Sequence, residues 1–141
     1  MGYLRVQALV GSAEGGPCKE LSFLVDTGAF YTVIPPSVAE ELGIKPYAET
    51  RLTLADKRIV EAGVSLAYMK ILDREGVLPV AILESPEPLL GATALEGLGL
   101  RVDPATGRVK HYRPYGLALL TFQLNAAKTN SEIAASGVKG V

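Results

Sequence analysis

The sequence predicts a mostly β domain, barrel-like and largely antiparallel, with one or two short helices, and three observations predict it. Short runs of apolar and β-branched residues recur at close spacing from Tyr3 to Val109. Glycine, proline and small charged clusters punctuate most of them. Only two windows, Ser37 to Leu42 and Ala92 to Leu98, read as helices. At 141 residues with no internal repeat, the chain is one domain's worth and long enough to bury a core.

Each element has its own local reason. Tyr3 to Val10 alternates roughly between apolar and polar residues and reads as a strand, which Gly11 to Pro17 interrupts with three glycines and a proline. Cys18 to Val25 resumes as a second strand with Leu21, Phe23 and Val25 on one face. Ala29 to Ile34 is aromatic and β-branched, the composition of a strand buried on both sides, and Pro35-Pro36 stops it. Ser37 and Glu40 have capping-box spacing, and Gly43 stands where a helix-terminating glycine belongs. Leu52 to Ala55 and Ile59 to Val64 flank the polar tip Asp56-Lys57-Arg58 as a hairpin. Ser65 to Leu72 and Val77 to Leu83 form another around the turn Asp73 to Gly76. Pro86 to Pro88 makes a loop before Leu89-Leu90-Gly91, and Ala92 to Leu98 follows as a helix that Thr93 helps to start and Gly97 and Gly99 end. Arg101 to Asp103 and Gly107 to Val109 bracket a last tight hairpin at Pro104-Ala105-Thr106.

Composition narrows the function. A formal net charge of −1, with Lys and Arg scattered, disfavours a nucleic-acid partner, which needs clustered cations. One cysteine, Cys18, forms no internal disulfide, and with a single histidine, His111, no Cys/His zinc set assembles. We therefore expect no metal and no cofactor. No apolar run approaches the roughly 20 residues that span a bilayer, and Met1 to Val6 lacks the pattern of a secretory signal, so a soluble cytoplasmic protein with no membrane partner is expected.

The chemistry centres on Leu24-Val25-Asp26-Thr27-Gly28-Ala29, an acid delivered at the end of an apolar run and followed at once by a turn. Hydrolysing a peptide bond without a metal or a covalent intermediate takes a base that activates water and an acid that polarises the carbonyl. Two carboxyls about 3 Å apart do both, because they cannot both ionise and so share a proton. One Asp-Thr-Gly is present, in a chain too short for two similar halves. A twofold axis beside Asp26 supplies the second acid, so a homodimer is expected as part of the mechanism. In that arrangement Thr27 locks the turn through its hydroxyl, and Gly28 permits a backbone approach that a Cβ would obstruct. An isolated Asp-Thr-Gly is more often an ordinary turn. Here the apolar strands on either side and the distant Leu89-Leu90-Gly91 argue for more.

Leu24 to Ala29 followed by Thr32-Val33-Ile34-Pro35, with Leu90-Gly91-Ala92-Thr93-Ala94-Leu95-Glu96 and Leu100-Arg101-Val102-Asp103-Pro104 downstream, resembles the prokaryotic retropepsin-like aspartic proteases over about residues 3 to 112. The resemblance implies the pepsin-like closed β-barrel in its half-size form, as a homodimeric endopeptidase acting on peptide or protein substrates. It implies that Asp26 is the catalytic acid and base, and that Leu89, Leu90 and Gly91 pack behind it. It also implies a flap that closes over substrate, which in chain order is the hairpin carrying Ala55, Asp56 and Lys57. Similar proteins tend to have glycine at the flap tip, where this chain has Lys57. Ala29, Phe30, Ile34 and Leu90 are further candidates for lining an apolar substrate pocket.

The protease domain is expected over residues 1–116 and a partly flexible extension over 117–141, whose apolar stretch Leu117 to Leu124 forms one more strand or docks on another surface. Two other functions compete. A dimeric module of the same fold that binds extended peptide but cleaves little is hard to separate by sequence. Aspartyl-phosphate chemistry also uses an Asp before Thr-Gly, but it needs Mg²⁺ and further acids, and position 28 is glycine where many such enzymes have a second aspartate.

Overall fold

The computed structural model describes residues 4–114. The first hairpin pairs β1 (Arg5–Ser12) with β2 (Cys18–Val25), from Arg5 opposite Leu24 to Gly11 opposite Cys18. Then come β3 (Thr32–Ile34), α1 (Pro36–Leu42), β4 (Ala48–Thr53), β5 (Ile59–Ile71), β6 (Arg74–Ile82), β7 (Leu89–Leu90) and α2 (Ala92–Leu98). A final hairpin of β8 (Leu100–Asp103) and β9 (Arg108–His111) forms a separate two-stranded sheet. The candidate extension lies outside the described residues, as does the proposed boundary at residue 116.

The main sheet runs β1-β2-β7-β3-β6-β5-β4, and the second half of β1 also pairs with β5. Six strands thus close into a ring, with β4 attached outside it along the first half of β5. Mostly β with two short helices, the architecture matches the expected class. It is less uniformly antiparallel than expected, because β2–β7 and β3–β6 are parallel. Those two pairings join segments far apart in sequence, where no hairpin sets the direction.

The ring encloses Val10, Phe23, Ile34, Met69, Ile71, Val80, Leu90 and Leu98, all fully buried. Truncating one such side chain to alanine typically costs about 2–5 kcal/mol. β3 covers only Thr32–Ile34 of the expected Ala29 to Ile34 strand: these three residues are buried on both sides, whereas Phe30 before them is exposed. Both helices stop at a left-handed glycine, Gly43 at φ 70° and Gly99 at φ 67°.

Three local readings change. The capping box does not form: Pro35 is the N-cap of α1 and Pro36 its first residue, so Ser37 already lies inside the helix. Thr93 does not cap α2 either, since Gly91 is the N-cap and the Thr93 hydroxyl donates to the Phe30 carbonyl at 2.7 Å. The β5–β6 turn is Leu72-Asp73 rather than Asp73 to Gly76, because Ile71 pairs directly with Arg74 and β5 runs unbroken from Ile59. Arg74 is drawn into the strand by bonds from its guanidinium, Nη1 to the Leu98 carbonyl at 2.9 Å and Nη2 to the Arg113 carbonyl at 3.0 Å. With this side chain buried, Leu72 turns the corner at φ 57°.

Candidate active site

Asp26 follows the last residue of β2 and is anchored through its backbone to a strand more than sixty positions away. Its N–H donates to the Leu90 carbonyl at 2.9 Å, and its own carbonyl accepts from Ala29 N–H at 3.1 Å. β7 is a two-residue strand wedged between β2 and β3. Leu24 and Val25 face Leu89 and Leu90 in parallel, while Leu89 pairs with Val33 in the opposite sense. Leu90 is fully buried. Leu89 and Leu90 thus lie beside the strand that leads to Asp26, joined to it by main-chain hydrogen bonds as much as by apolar contact.

Gly91 is required by space. A Cβ there would lie 2.4 Å from the Tyr31 carbonyl oxygen and 2.9 Å from that of Ala29, distances that no real side chain attains. The close approach lets Gly91 N–H donate to Thr32 Oγ1 at 3.1 Å and Ala92 N–H to the Ala29 carbonyl at 2.7 Å. Thr32 is wholly buried, and its role was missed in the sequence. The available signal was a hydroxyl inside an otherwise apolar strand, which needs a partner when buried.

The Gly28 backbone is not left-handed, and a Cβ would meet only Asp26 Oδ1, at an ordinary contact distance of 3.4 Å, so within the single chain nothing obstructs a side chain there. What Gly28 does provide is its N–H, which donates to Asp26 Oδ1 at 3.1 Å and orients the carboxyl. Asp26, Thr27 and Gly28 are all exposed, and among the described residues no hydrogen bond engages the Thr27 hydroxyl.

The next residues are equally fixed. Phe30 is 66% exposed, yet its carbonyl accepts from both the N–H and the hydroxyl of Thr93, and its ring meets Tyr31 edge to face at 5.0 Å. An aromatic side chain is thus held out in solvent four positions after the acid. Ile34, by contrast, is fully buried in the core and is not available to line a pocket. Leu90 is likewise enclosed and can only support the site from behind.

Ala55, Asp56 and Lys57 sit at the tip of the β4–β5 hairpin, with no hydrogen bond or ion pair to the Asp26 turn among the described residues. Leu54 N–H donates to the Arg58 carbonyl at 2.8 Å and Lys57 N–H to the Leu54 carbonyl at 2.9 Å. Lys57 takes φ 69°, the left-handed conformation that favours glycine, so the residue expected to be glycine does occupy a glycine-type position. Asp56 clasps Arg58 through Oδ2 and Nε at 2.6 Å and accepts Arg58 N–H at 3.1 Å. Those bonds, the backbone one foremost, hold its carboxyl below the usual range.

Beside the Asp26 turn, a cavity of about 450 Å³ is lined by Thr27, α2 and the start of β8. A larger one of about 530 Å³, between the β1–β2 turn, the end of α1, Tyr47 and Leu66, contains none of the predicted site residues. Among the described residues no three His, Cys, Asp or Glu side chains gather as a metal-holding group, and no helix is long and apolar enough to cross a membrane.

Comparison with known proteins decides the family. The family model described as aspartyl protease matches residues 9–94, well over half of the chain. The chain belongs to the aspartyl protease family. Among solved structures, the protease of EIAV, titled as complexed with the inhibitor HBY-793, superposes with a TM-score of 0.57 at 19% identity, covering 72% of this chain and 93% of its own. The retroviral protease-like domain of Ddi1 from Leishmania major gives 0.58 at 12% identity, covering 82% and 92%. No curated protein sequence matches. At these identities the structural likeness shows the retropepsin-like fold, and this aspartyl protease family member has it.

Proposed function

We propose that the protein is an aspartic endopeptidase whose catalytic pair is Asp26 from each of two identical subunits. The observation that carries the proposal is the treatment of Asp26: its backbone is locked to the buried β7, while its carboxyl is exposed, oriented by Gly28 N–H and given no cation among the described residues. Half of a two-acid site is built, and the open half is the side a twin would occupy. In the dimer the exposed Thr27 hydroxyl would fix the spacing by bonding across the axis.

In that dimer the two carboxyls share one proton and hold a water between them. The ionised carboxyl takes a proton from the water as its oxygen attacks the peptide carbonyl carbon. The protonated carboxyl gives its proton to the carbonyl oxygen. The resulting gem-diol collapses when the newly protonated carboxyl gives its proton to the departing amide nitrogen and the C–N bond breaks, while the other, ionised carboxyl takes a proton from a gem-diol hydroxyl, which becomes the carbonyl of the acid product and leaves the pair with its one shared proton. Ala29 and the exposed Phe30 flank the substrate, with apolar residues preferred near the scissile bond, and the tip carrying Ala55, Asp56 and Lys57 closes over it to exclude water. The solvent-exposed, unpaired Cys18 suits a reducing, cytoplasmic setting.

The test is cleavage of an unfolded protein at about pH 4 to 6, where a carboxyl pair shares a proton, by wild type and by Asp26→Asn, with the mass of each followed by sedimentation. Cleavage by the wild type alone, with both proteins dimeric, supports the enzyme. Dimers that bind peptide but never cleave it support a binding module of the same fold. A wild type that stays monomeric at working concentration refutes both.

A further inference from the structure

We infer that the groove lined by Thr27, α2 and β8 is the surface on which the second copy docks, and that Glu96 of each subunit pairs with Arg101 of the other. The inference rests on the dimer proposed above and specifies its contact surface.

The argument starts from position. Thr27 lines the groove and is next to Asp26, so an axis that brings two Asp26 carboxyls together must pass close to it. The walls continue through Ala92, Leu95, Leu100 and Val102, an apolar surface contiguous with the catalytic turn. A contact about a twofold axis uses one patch on both subunits, so the patch must complement itself. A patch whose charged lining residues are one acid and one base meets that requirement, because each subunit offers the charge that complements the other's.

Glu96 and Arg101 are that acid and base. Both are exposed and both line the groove. Neither forms an ion pair among the described residues, so both charges are available to a partner. Arg113 lies beside Glu96 but donates to its backbone carbonyl, leaving the carboxylate open. The Arg101 guanidinium is held over the Tyr112 ring, 5.3 Å from its centroid, so the cation is positioned in advance. Removing water from two unpaired charges in a docking surface is unfavourable unless they meet opposite charges there. Exchange across the axis meets both at once.

The full-length chain tests this by sedimentation over a concentration series at about 0.1 M salt, where surface charges still act over roughly 10 Å. Arg101→Glu sets like charges against each other at both symmetric contacts, and so does Glu96→Arg. Each is expected to raise the dimer dissociation constant on the order of a hundredfold. The double variant Glu96→Arg/Arg101→Glu restores opposite charges and is expected to return within about tenfold of wild type. A folding defect in a single variant would not be repaired by adding the second, so recovery is diagnostic. Single variants that dimerise like wild type overturn the inference while leaving the protease reading intact. Single variants that dissociate without recovery in the double variant overturn the pairing. A wild type that never dimerises removes the inference together with the reading beneath it.

Discussion

Substituting Gly91 with alanine tests whether the position of the acid depends on the close approach of β7 to the segment after the catalytic turn. The new Cβ would lie 2.4 Å from the Tyr31 oxygen, 2.5 Å from the Tyr31 carbonyl carbon and 2.9 Å from the Ala29 oxygen. All three are backbone atoms, so no side chain can swing aside. Relief requires the two segments to separate, which weakens the bond from Gly91 N–H to Thr32 Oγ1 and that from Ala92 N–H to the Ala29 carbonyl. Overpacking costs about 1–3 kcal/mol, and each buried donor left without a partner about 1–3 kcal/mol. A total of about 4 kcal/mol is a large part of the roughly 5–15 kcal/mol that holds a domain folded. In urea, at an m-value of about 2 kcal/mol per molar, the midpoint should fall by about 2 M. Both proteins must be compared at one concentration, since dimerisation feeds into apparent stability. Gly28→Ala is the control: its Cβ fits at 3.4 Å from Asp26 Oδ1, so subunit stability should change by less than about 1 kcal/mol while cleavage falls. A Gly91→Ala protein within about 1 kcal/mol of wild type would refute the reasoning.

Thr32→Val removes the acceptor for Gly91 N–H inside the core and should cost about 1–3 kcal/mol by urea unfolding. Lys57→Gly relieves a left-handed residue at the hairpin tip, where the strain of about 1 kcal/mol roughly offsets glycine's extra freedom in the unfolded chain, so stability should hold within about 1 kcal/mol. A β-branched residue there should be clearly worse. The Asp56–Arg58 clasp has a defined pH dependence: because its folded-state carboxyl lies below the ordinary value of about 3.9, its contribution is fully present above that value and is lost as pH falls through the lower folded one. An NMR titration should therefore find the Arg58 amide unchanged from about pH 6 to 4.5 and shifting only in stronger acid. Amide exchange should separate the two halves of the machinery. Asp26 N–H, bonded to the distant β7, should open only with the ring, and the Lys57 amide through local opening of the hairpin tip.

What could be read in the sequence follows from how local each feature is. Both first-hairpin strands, the helix after Gly91 and the hairpin at Pro104 have their periodicity and stop signals within a few residues, and they stand close to where those signals put them. The turn at Asp26 was equally legible, because an apolar strand leads into it. β7 was legible only as a motif, since two residues cannot display a period. Its parallel pairing with β2 and its antiparallel pairing with β3 depend on segments elsewhere in the chain. Arg74 shows the same limit. A charge beside Asp73 and Gly76 looks like turn chemistry, and only the carbonyls of Leu98 and Arg113, brought in by the fold, make it a buried strand residue. Gly28 was assigned a reason that its own chain does not supply, because the obstruction imagined for it would come from a partner.

The geometry at Asp26 is not special by itself. Asp56 and Asp103 make the same local turn, each accepting from the N–H two residues on, Arg58 at 3.1 Å and Ala105 at 2.9 Å, as Asp26 does from Gly28 at 3.1 Å. The three differ in what else reaches them. Asp56 also holds the Arg58 guanidinium, and Asp103 has the Lys110 ammonium at 3.4 Å. Bonds to backbone N–H and to these cations keep both carboxyls below the usual range. A carboxyl secured in that way has no use for a shared proton, because a nearby cation favours the ionised form. No cation stands beside Asp26 among the described residues, and of the three only Asp26 follows a strand locked to β7. An aspartate held rigidly by its backbone and left without a counter-charge is suited to a second carboxyl as its neighbour, which is why the framework around the turn, rather than the turn, argues for catalysis.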